Sequence, residues 1–531
     1  MSITREPPGT VLLETSETIV LQPTPSSDPN DPLNWAKWRK YLNFFIICFF
    51  TLMDFTANDV PSVMRPPWRK EFGWSFAELN NTYAISLAGM GLGCPLLVPF
   101  ANKFGRRPVY LVAAALVVAM VAWMSEMNTI GEAYGAMFIL GLSGSVTETI
   151  IQMTVADMFF VHERGTFNGI YMLIVDFGNF IVLVPAGYCT VNLGWRWTYR
   201  IIAIISAVMF LMVALLMEET TYTRTVSVID GISEESDDES VTKVVAEKSS
   251  MTKKEEKSEY DLQAKAGPLQ FPEIDSEIQM NPLRKRLAPY TYTPGSFREF
   301  LRKMYTPFLT LVTYPIVTFS AVQYGCLLSF LSMASSTISN SFSVAPYNFS
   351  SAGIGNINIA PCIGMTLGCF YGGWFNDKTI IWLSKRNNGI YEPEFRLYSL
   401  VFANLTVTVG MFMFGISIAH NVHWMVPTVG FAIVAFGYGS CGAIIVTYLI
   451  DCYEKIVSDA FIGVVVIRNG MTMMILFCLS PWVKSIGLQN TFISGGCLSL
   501  ISVLLTLPMI KYGKELRRRS ESRYLKESSR G

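Results

Sequence analysis

Five ionisable side chains interrupt long apolar stretches of the sequence: Asp54, Asp59, Glu148, Asp176 and Arg468. A charge inside a lipid bilayer costs a few kcal/mol or more, so such residues face the interior of a helix bundle and usually have a role. Because burial disfavours the charged form of a carboxylate, Glu148 is a candidate proton carrier. If Arg468 lies beside it, the pair favours ionisation, and protonation of Glu148 would release the Arg. The sequence leaves both arrangements open.

Uncharged polar side chains extend the helix faces that carry these groups, because residues three or four positions apart share a face. They are Asn58, Asn179, Gln323, Tyr324 and Asn469. We predict that they and the ionisable residues form a site for substrate and proton coupling. The simpler interpretation, in which the polar groups only hold the helices together, stays open.

The stretches that carry these residues are long enough to cross a membrane. The chain has 531 residues, of which 51% are hydrophobic and only 15% charged, whereas soluble domains are nearer a quarter charged. A transmembrane helix needs about 20 mainly apolar residues. We number as spans one to twelve residues 41–63, 79–100, 108–125, 134–156, 166–188, 199–217, 307–333, 353–375, 397–419, 424–450, 460–483 and 490–510. The sequence therefore predicts an all-α membrane protein with twelve transmembrane helices.

A long polar stretch divides these spans into two sets of six. Residues 218–305 contain Ser-rich charged runs and few aromatic side chains, which predicts a mostly disordered linker. The polar residues 1–40 lack the apolar core of a cleavable signal peptide. The predicted organisation is a tail, a six-helix bundle, the linker, a second six-helix bundle and a basic tail, over residues 1–40, 41–217, 218–305, 306–510 and 511–531.

The distribution of basic residues predicts the orientation. With both termini and the linker on the cytoplasmic side, most of the 41 Lys and Arg residues are cytoplasmic, as the positive-inside rule requires. The glycosylation sequence at Asn348 then falls in the exoplasmic loop between spans seven and eight. We therefore expect a multi-pass glycoprotein of the plasma membrane with cytoplasmic termini.

Several classes of function are disfavoured. Acidic and basic residues are equal in number at 41 each, which argues against a nucleic-acid partner. Three histidines and ten scattered cysteines have no metal-ligand spacing, so we expect no metal site and no cofactor. The sequence contains no phosphate-binding loop, which disfavours an ATP-driven pump. It also contains no catalytic motif, which disfavours an enzyme. An ion gradient is the remaining source of energy.

The loop after span two reads PFANKFGRRP over residues 99–108 and resembles the cytoplasmic gating motif of the major facilitator superfamily. The motif's acid is replaced by Asn here, and a degenerate second copy follows span eight. The resemblance implies a cytoplasmic latch of Arg side chains with carboxylates and helix ends, although the Arg residues could serve only as topology anchors. The implied gate residues are Asn102, Gly105, Arg106, Arg107, Asp157, Glu163, Arg164 and Asp377.

Two further stretches resemble fungal members of the twelve-span drug:proton antiporter branch: DPNDPLNW at residues 28–35 and SVTETIIQMTVADMFFVHERG at 145–165. Gly178, Pro185 and Gly187 are similar to part of the span-five antiporter motif, although close helix packing also explains such glycines. The segments YNFS, NNGIYEPEFRLY and YLIDCY resemble the yeast Hol-type cation and polyamine transporters. Compared with these, the chain has Leu328 in place of an acid and Arg468 in place of an Asn, so a zwitterionic, anionic or neutral substrate is as compatible as a cation.

The resemblance implies a monomeric, proton-coupled secondary transporter. Its partners would be a small organic solute, the proton gradient and the lipid bilayer. Two alternatives stay open: drug or secondary-metabolite efflux by proton antiport instead of nutrient or polyamine uptake, and a non-transporting nutrient sensor on the same scaffold.

Overall fold

A computed structural model of the chain describes residue 7 and residues 11–12, 26–222, 278–288, 290–291, 297–387, 389–453 and 456–528. In this part of the chain eleven helices are long and apolar enough to cross a membrane. They are Lys37–Phe72, Phe76–Phe104, Arg106–Glu126, Ile130–Met158, Glu163–Leu193, Trp195–Leu216, Pro315–Ser341, Ser351–Arg386, Pro393–Ala419, Met425–Cys452 and Val457–Lys526. The last is broken at Gly487, where φ is 81° and ψ is 160°, so spans eleven and twelve lie on either side of this residue.

Several of these helices consist of shorter segments. Three contain a π-helical turn, at Val146–Ile150 in span four, Phe177–Ile181 in span five and Tyr371–Phe375 in span eight. The α-helical segments around these turns and in span one are Lys37–Asp59, Pro61–Phe72, Ile130–Ser145, Ile151–Met158, Val161–Asp176, Leu183–Leu193, Ser351–Ile357, Ile359–Phe370 and Asn376–Arg386. The remaining short elements are Pro32–Asn34, Leu283–Arg286, Phe297–Thr313, Pro393–Phe395 and the antiparallel strands Val11–Leu12 and Ile390–Tyr391.

Local chemistry accounts for the helix boundaries. Ser75 caps the helix of span two: its hydroxyl accepts from the Glu78 backbone N–H, and its own backbone N–H donates to the Glu78 carboxylate, so two otherwise free N–H groups are satisfied. Gly105 ends that helix at φ 97°, a conformation that residues with a Cβ rarely adopt. Pro315 begins span seven after the break at Tyr314, because proline lacks the N–H that would continue the preceding helix.

The buried apolar residues form two clusters that follow the two halves of the sequence. One is built almost entirely from residues 35–217, and the other is mostly from residues 311–509. A few residues of each half join the other cluster, such as Ile462 and Val465 in the first and Phe180 in the second. Span two packs against span eleven, and span five packs against span eight. These contacts enclose the space in which the polar candidates lie.

The ends of the predicted linker pack against the first half of the chain. Residues 278–288, which we call the strap, lie against the segment that follows span six, where Glu218 pairs with Arg286 at 2.5 Å. Residues 223–277, which include most of the predicted disorder, lie outside the described part of the chain. The predicted C-terminal tail is helical as far as Ser528.

Candidate functional site

A cavity of about 120 Å³ lies between the two halves of the chain, with walls from spans one, two, four, five, seven, eight, ten and eleven. Seven of the ten predicted substrate and coupling residues line it: Asn58, Asp59, Glu148, Asn179, Tyr324, Arg468 and Asn469. The rest of the lining is largely apolar and aromatic, including Phe55, Met90, Met172, Phe180, Met365 and Phe461. Polar groups set among apolar and aromatic side chains are typical of a site for a small molecule.

Glu148 and Arg468 form an ion pair across this cavity. The Arg468 Nη2 atom donates to Glu148 Oε1, and the amide of the neighbouring Asn469 donates to Glu148 Oε2 at 3.0 Å. The side chains of Glu148 and Arg468 are only 10% and 7% exposed. Of the two arrangements that the sequence left open, the structure therefore has the pair. Each Glu148 oxygen has a donor from span eleven, so this carboxylate ties the two halves together.

Two tyrosines support the Arg468 side chain. The guanidinium carbon lies 5.0 Å from the centre of the Tyr324 ring, within the range of a cation–π interaction. The Tyr438 ring stacks on Tyr324 with centroids 5.5 Å apart, and the two hydroxyl groups are 3.5 Å apart. Tyr438 of span ten was not among the predicted site residues. Its hydroxyl group in the middle of an uncharged, Gly-rich span is a sequence signal that could have identified it.

The π-helical turns place polar residues on the cavity wall. Glu148 is the central residue of the turn Val146–Ile150, and Asn179 is the central residue of Phe177–Ile181. A π turn contains one extra residue and therefore rotates the residues beyond it, and such turns are frequent at functional sites. Regular helical periodicity does not predict this rotation.

The acidic residues of span one have different surroundings. Asp59 lines the cavity and is half-buried, and none of the described residues forms an ion pair with it. Asp54 is fully buried behind the wall, where its carboxylate accepts from Ser143 at 3.0 Å and Thr147 at 3.4 Å. Asn58 donates to the Asp54 backbone carbonyl at 2.9 Å. Asp59 is thus the acid of span one whose carboxylate faces the cavity, with the Tyr83 hydroxyl as its hydrogen-bonding neighbour.

Two other candidates lie away from the cavity. Gln323 is buried and donates to Ser502 and Thr506 of span twelve at 2.6 and 2.8 Å, so it joins helices within the second half. Asp176 is buried at the contact between spans five and eight, and neither of its carboxylate oxygens has a hydrogen-bond partner of ordinary geometry, although Thr366 is a polar neighbour.

The gate residues of the motif after span two make their contacts within the first half, with the segment that follows span six and with the strap. Arg106 donates to Asn102 Oδ1 at 2.8 Å and to Asp157 at 3.3 Å, so Asp157 supplies the charge that Asn102 lacks. Arg107 donates to the strap carbonyls of Leu287 and Ala288. The backbone N–H groups of both arginines, which follow Gly105, donate to Glu219 at 2.9 and 3.0 Å.

The other gate candidates are more peripheral. Arg164 donates to the carbonyls of Ala156 and Phe159 at the end of span four, at 2.7 and 3.0 Å. Glu163 lies in the first turn of span five. Asp377 is exposed and pairs at 3.0 Å with Arg396, which also binds Asp451.

Strong hydrogen bonds hold Glu218, which precedes Glu219 at the strap. It accepts from Arg39 at 2.5 Å and from Arg286 at 2.5 and 2.8 Å. Burial by itself raises the pKa of Glu218, but the hydrogen bonds from Arg286 and Arg39 outweigh it, so the pKa lies below its ordinary value. The carboxylate therefore stays ionised and keeps the strap attached to the first helix.

The glycines of the span-five motif lie at helix contacts. A Cβ at Gly178 would stand 2.9 Å from Phe55 of span one, and a Cβ at Gly187 would stand 2.5 Å from the Ser351 carbonyl of span eight. Pro185 lies between them in the segment Leu183–Leu193. Asn348, the predicted glycosylation site, is exposed in the loop after span seven, with φ 53°.

A second polar cluster, which the sequence did not predict, joins the two halves beyond the cavity. Arg65 is buried in the segment Pro61–Phe72, which extends past the predicted end of span one at residue 63. It donates to Asn80 Oδ1 of span two and to the Ser336 carbonyl of span seven, both at 3.0 Å, and more weakly to Asn340. Asn80 in turn donates to Ser480 of span eleven at 3.0 Å. Among the described residues, no cluster of His, Cys, Asp or Glu could hold a metal ion.

Comparison with known proteins gives consistent results. The sequence profile of the Major Facilitator Superfamily matches residues 44–475. An uncharacterized MFS-type transporter of Schizosaccharomyces pombe is 32% identical, and the match covers 95% of this chain and 89% of the length of that transporter. Protein HOL1 of Saccharomyces cerevisiae is 27% identical, over 97% of this chain and 93% of its own.

Solved structures of transporters have the same fold. The xylose transporter XylE from E. coli, in a partially occluded inward-open conformation, has a TM-score of 0.56 at 12% identity over 89% of this chain and 99% of its own. A peptide transporter, POT, has a TM-score of 0.58 at 13% identity, and the match covers 89% of this chain and 95% of the POT chain. At such identities the likeness concerns the fold alone.

Proposed function

The chain belongs to the major facilitator superfamily, and we propose that it is a proton-coupled secondary transporter that moves a small organic solute by alternating access. Its relatives and its all-helical fold are those of multi-pass membrane transporters and not of enzymes. The observation that carries the proposal is the Glu148–Arg468 pair, which spans the cavity from one half of the chain to the other.

We propose the organisation that the sequence indicates. Residues 41–217 and 306–510 form two six-helix bundles, and the termini and residues 218–305 lie in the cytoplasm of a cell whose plasma membrane holds the protein. The two hydrophobic clusters support two bundles, since each is drawn mainly from one half of the sequence. In this arrangement the bundles rock about a site near the middle of the membrane, which opens to each side in turn.

The ion pair gives this cycle a coupling device. When Glu148 and Arg468 are paired their charges cancel, and the pair holds the two halves together across the cavity. A proton on Glu148 removes its charge, and an anionic group of a solute can compete for Arg468. Either event separates the pair, and the free energy that it contributed to the closed state is lost.

The remaining lining favours a solute with both polar and apolar parts. Asp59, Asn58 and Asn179 offer one carboxylate and two amides, whereas Phe55, Phe180 and the methionines offer apolar and polarisable surface. A cationic or zwitterionic group could therefore pair with Asp59 while an apolar body lies against the aromatic side chains.

Flux measurements test the proposal. The full chain is expressed in a transporter-deficient yeast, and uptake of radiolabelled spermidine, a small organic anion, an amino sugar and a drug-like cation is measured at two external pH values. We expect proton-dependent accumulation of one compound, lost in Glu148→Gln and retained in Glu126→Gln, which removes an exposed carboxylate of a surface ion pair.

Other outcomes separate the alternatives. Reduced accumulation of the drug-like cation in cells with the wild-type protein would establish efflux by antiport. Binding of a compound without any flux would favour a nutrient sensor. If no compound is bound or moved by the wild-type protein at either pH, the proposal fails for these solute classes.

A further inference from the structure

Asp176 is a buried acid with no role in the ion pair described above. It is the last residue of the segment Val161–Asp176, immediately before the π-helical turn of span five. It is 0% exposed, and neither of its buried carboxylate oxygens has a hydrogen-bond partner of ordinary geometry among the described residues. No ion pair among the described residues involves it, so nothing there compensates a negative charge.

The groups that face Asp176 are uncharged. Span eight contributes Thr366 and the thiols of Cys362 and Cys369. Span one, which packs on the adjacent π turn, presents Leu52 and Phe55 at Gly178. The two acids of span one point elsewhere: Asp54 accepts from Ser143, and Asp59 lines the cavity.

An ionised carboxylate in this enclosure would have lost its hydration and gained no cation, and its polar neighbours, such as the Thr366 hydroxyl, are uncharged, which costs several kcal/mol. A neutral carboxyl avoids most of that cost, and its O–H can donate to the Thr366 hydroxyl. The enclosure therefore holds a proton for as long as spans five and eight stay in contact.

The position also gives the proton a route. Val175 and Met365, which precede Asp176 and Thr366 in the sequence, both line the cavity. The carboxyl thus lies directly behind the cavity wall, at a contact between the two halves. Rocking of the halves separates spans five and eight and admits water to the carboxyl, and the hydrated carboxylate then releases its proton.

We propose that Asp176 is a proton-binding site separate from the Glu148–Arg468 pair, occupied while spans five and eight are in contact and emptied to water when they part. This inference rests on the proposed transport cycle. It assigns to Asp176 the proton that is carried across the membrane, whereas protonation of Glu148 acts only to open the ion pair, which holds the halves together and recognises the solute.

The first test needs no solute. Infrared spectra of the purified full-length protein in lipid nanodiscs at pH 7 are compared for the wild type, Asp176→Asn and Glu126→Gln. We expect the wild type and Glu126→Gln to show the same C=O band of protonated carboxyl groups. In Asp176→Asn the intensity of this band should be lower by the contribution of one carboxyl group. A protonated-carboxyl band equally strong in Asp176→Asn would overturn the proposal. If Asp176→Asn does not fold, Thr366→Ala replaces it: the band is expected to shift because a hydrogen bond is lost, and an unshifted band counts against the proposal.

The second test uses whichever compound of the flux panel is transported. Asp176→Asn is expected to exchange labelled for unlabelled compound across the membrane at close to the wild-type rate, while it loses proton-driven accumulation. Glu148→Gln is expected to lose both. Accumulation at the wild-type level in Asp176→Asn would show that the moved proton binds elsewhere. Absence of flux in the wild type would be a failure of the proposed function, and the infrared spectra would still decide whether Asp176 holds a proton.

Discussion

Glu148 on span four and Arg468 on span eleven are 320 positions apart in the sequence, yet their side chains form an ion pair across the central cavity. Asn469 binds the second oxygen of the same carboxylate, so one acid of the first half has two donors from one helix turn of the second half. A contact of this kind couples the relative position of the halves to the charge state of a single residue.

The pair is expected to show strong energetic coupling. Glu148→Gln and Arg468→Gln should each destabilise the protein by about 3–5 kcal/mol, because each leaves a buried partner without its counterpart. The double variant should lose less unfolding free energy than the two single variants together, with a coupling energy of about 0.5–3 kcal/mol. Denaturant unfolding of the four proteins in detergent measures this, and additive losses would mean that the pair does not form in the folded protein.

The Tyr324 ring is expected to matter more than its hydroxyl group. Tyr324→Phe keeps an aromatic face 5.0 Å from the Arg468 guanidinium, whereas Tyr324→Leu removes it and forfeits about 0.5–2 kcal/mol. Transport by Tyr324→Phe should therefore remain near the wild-type rate, and Tyr324→Leu should be several-fold slower. Equal loss in both variants would instead assign the function to the hydroxyl, which lies 3.5 Å from that of Tyr438.

Loss of Arg65 is expected to open the cavity toward the outside. Its guanidinium bridges Asn80 of the first half and Ser336 of the second. A cysteine introduced at Ser335, on the cavity wall, should react faster with a membrane-impermeant thiol reagent in intact cells when Arg65 is replaced by Gln. Arg65→Gln without the added cysteine corrects for native thiols, and unchanged labelling would show that this cluster does not close the cavity.

Attachment of the strap is expected to weaken in acid. The pKa of Glu218 is lowered in the folded protein, so its contribution to stability is complete above its unfolded value near 4.5 and is lost as the pH falls through the lower folded value. Glu218→Gln should cost about 1.5–3 kcal/mol at neutral pH through lost charge-assisted hydrogen bonds. Thermal unfolding from pH 7 down to about pH 3 measures both effects. Glu515→Gln, at a surface pair, is the matched control and should unfold like the wild type.

Gly141 is expected to be irreplaceable, whereas Gly135 in the same helix is not. A Cβ at Gly141 would lie 1.9 Å from the Ser86 carbonyl of span two, and the nearest atom to a Cβ at Gly135 is a Trp123 carbon at 3.8 Å. Gly141→Ala should therefore destabilise by at least about 1–3 kcal/mol, while Gly135→Ala should be neutral or stabilising by about 0.5–1 kcal/mol. Both are read from the unfolding midpoint in detergent, and a tolerated Gly141→Ala would contradict the close contact of spans two and four.

The sequence alone indicated the positions and order of the long apolar helices and the few ionisable residues inside them. A helix that crosses hydrocarbon must be long, apolar and internally hydrogen-bonded, and these requirements can be recognised along one dimension. The same reasoning identified Glu148 and Arg468, because a charge in an apolar span is conspicuous whatever its partner. The family could likewise be identified, since its motifs are contiguous in the chain.

Only the tertiary structure decided which of these groups meet. Asp59 and Asp54 share span one, but Asp59 lines the cavity and Asp54 lies behind its wall. The π turn around Glu148 rotates it by an amount that regular helical spacing does not contain. Gln323 binds span twelve, and Arg107 binds the strap 180 positions away. The reason is that a side chain's partner depends on the rotation and neighbours of its helix, and contacts between distant segments set both.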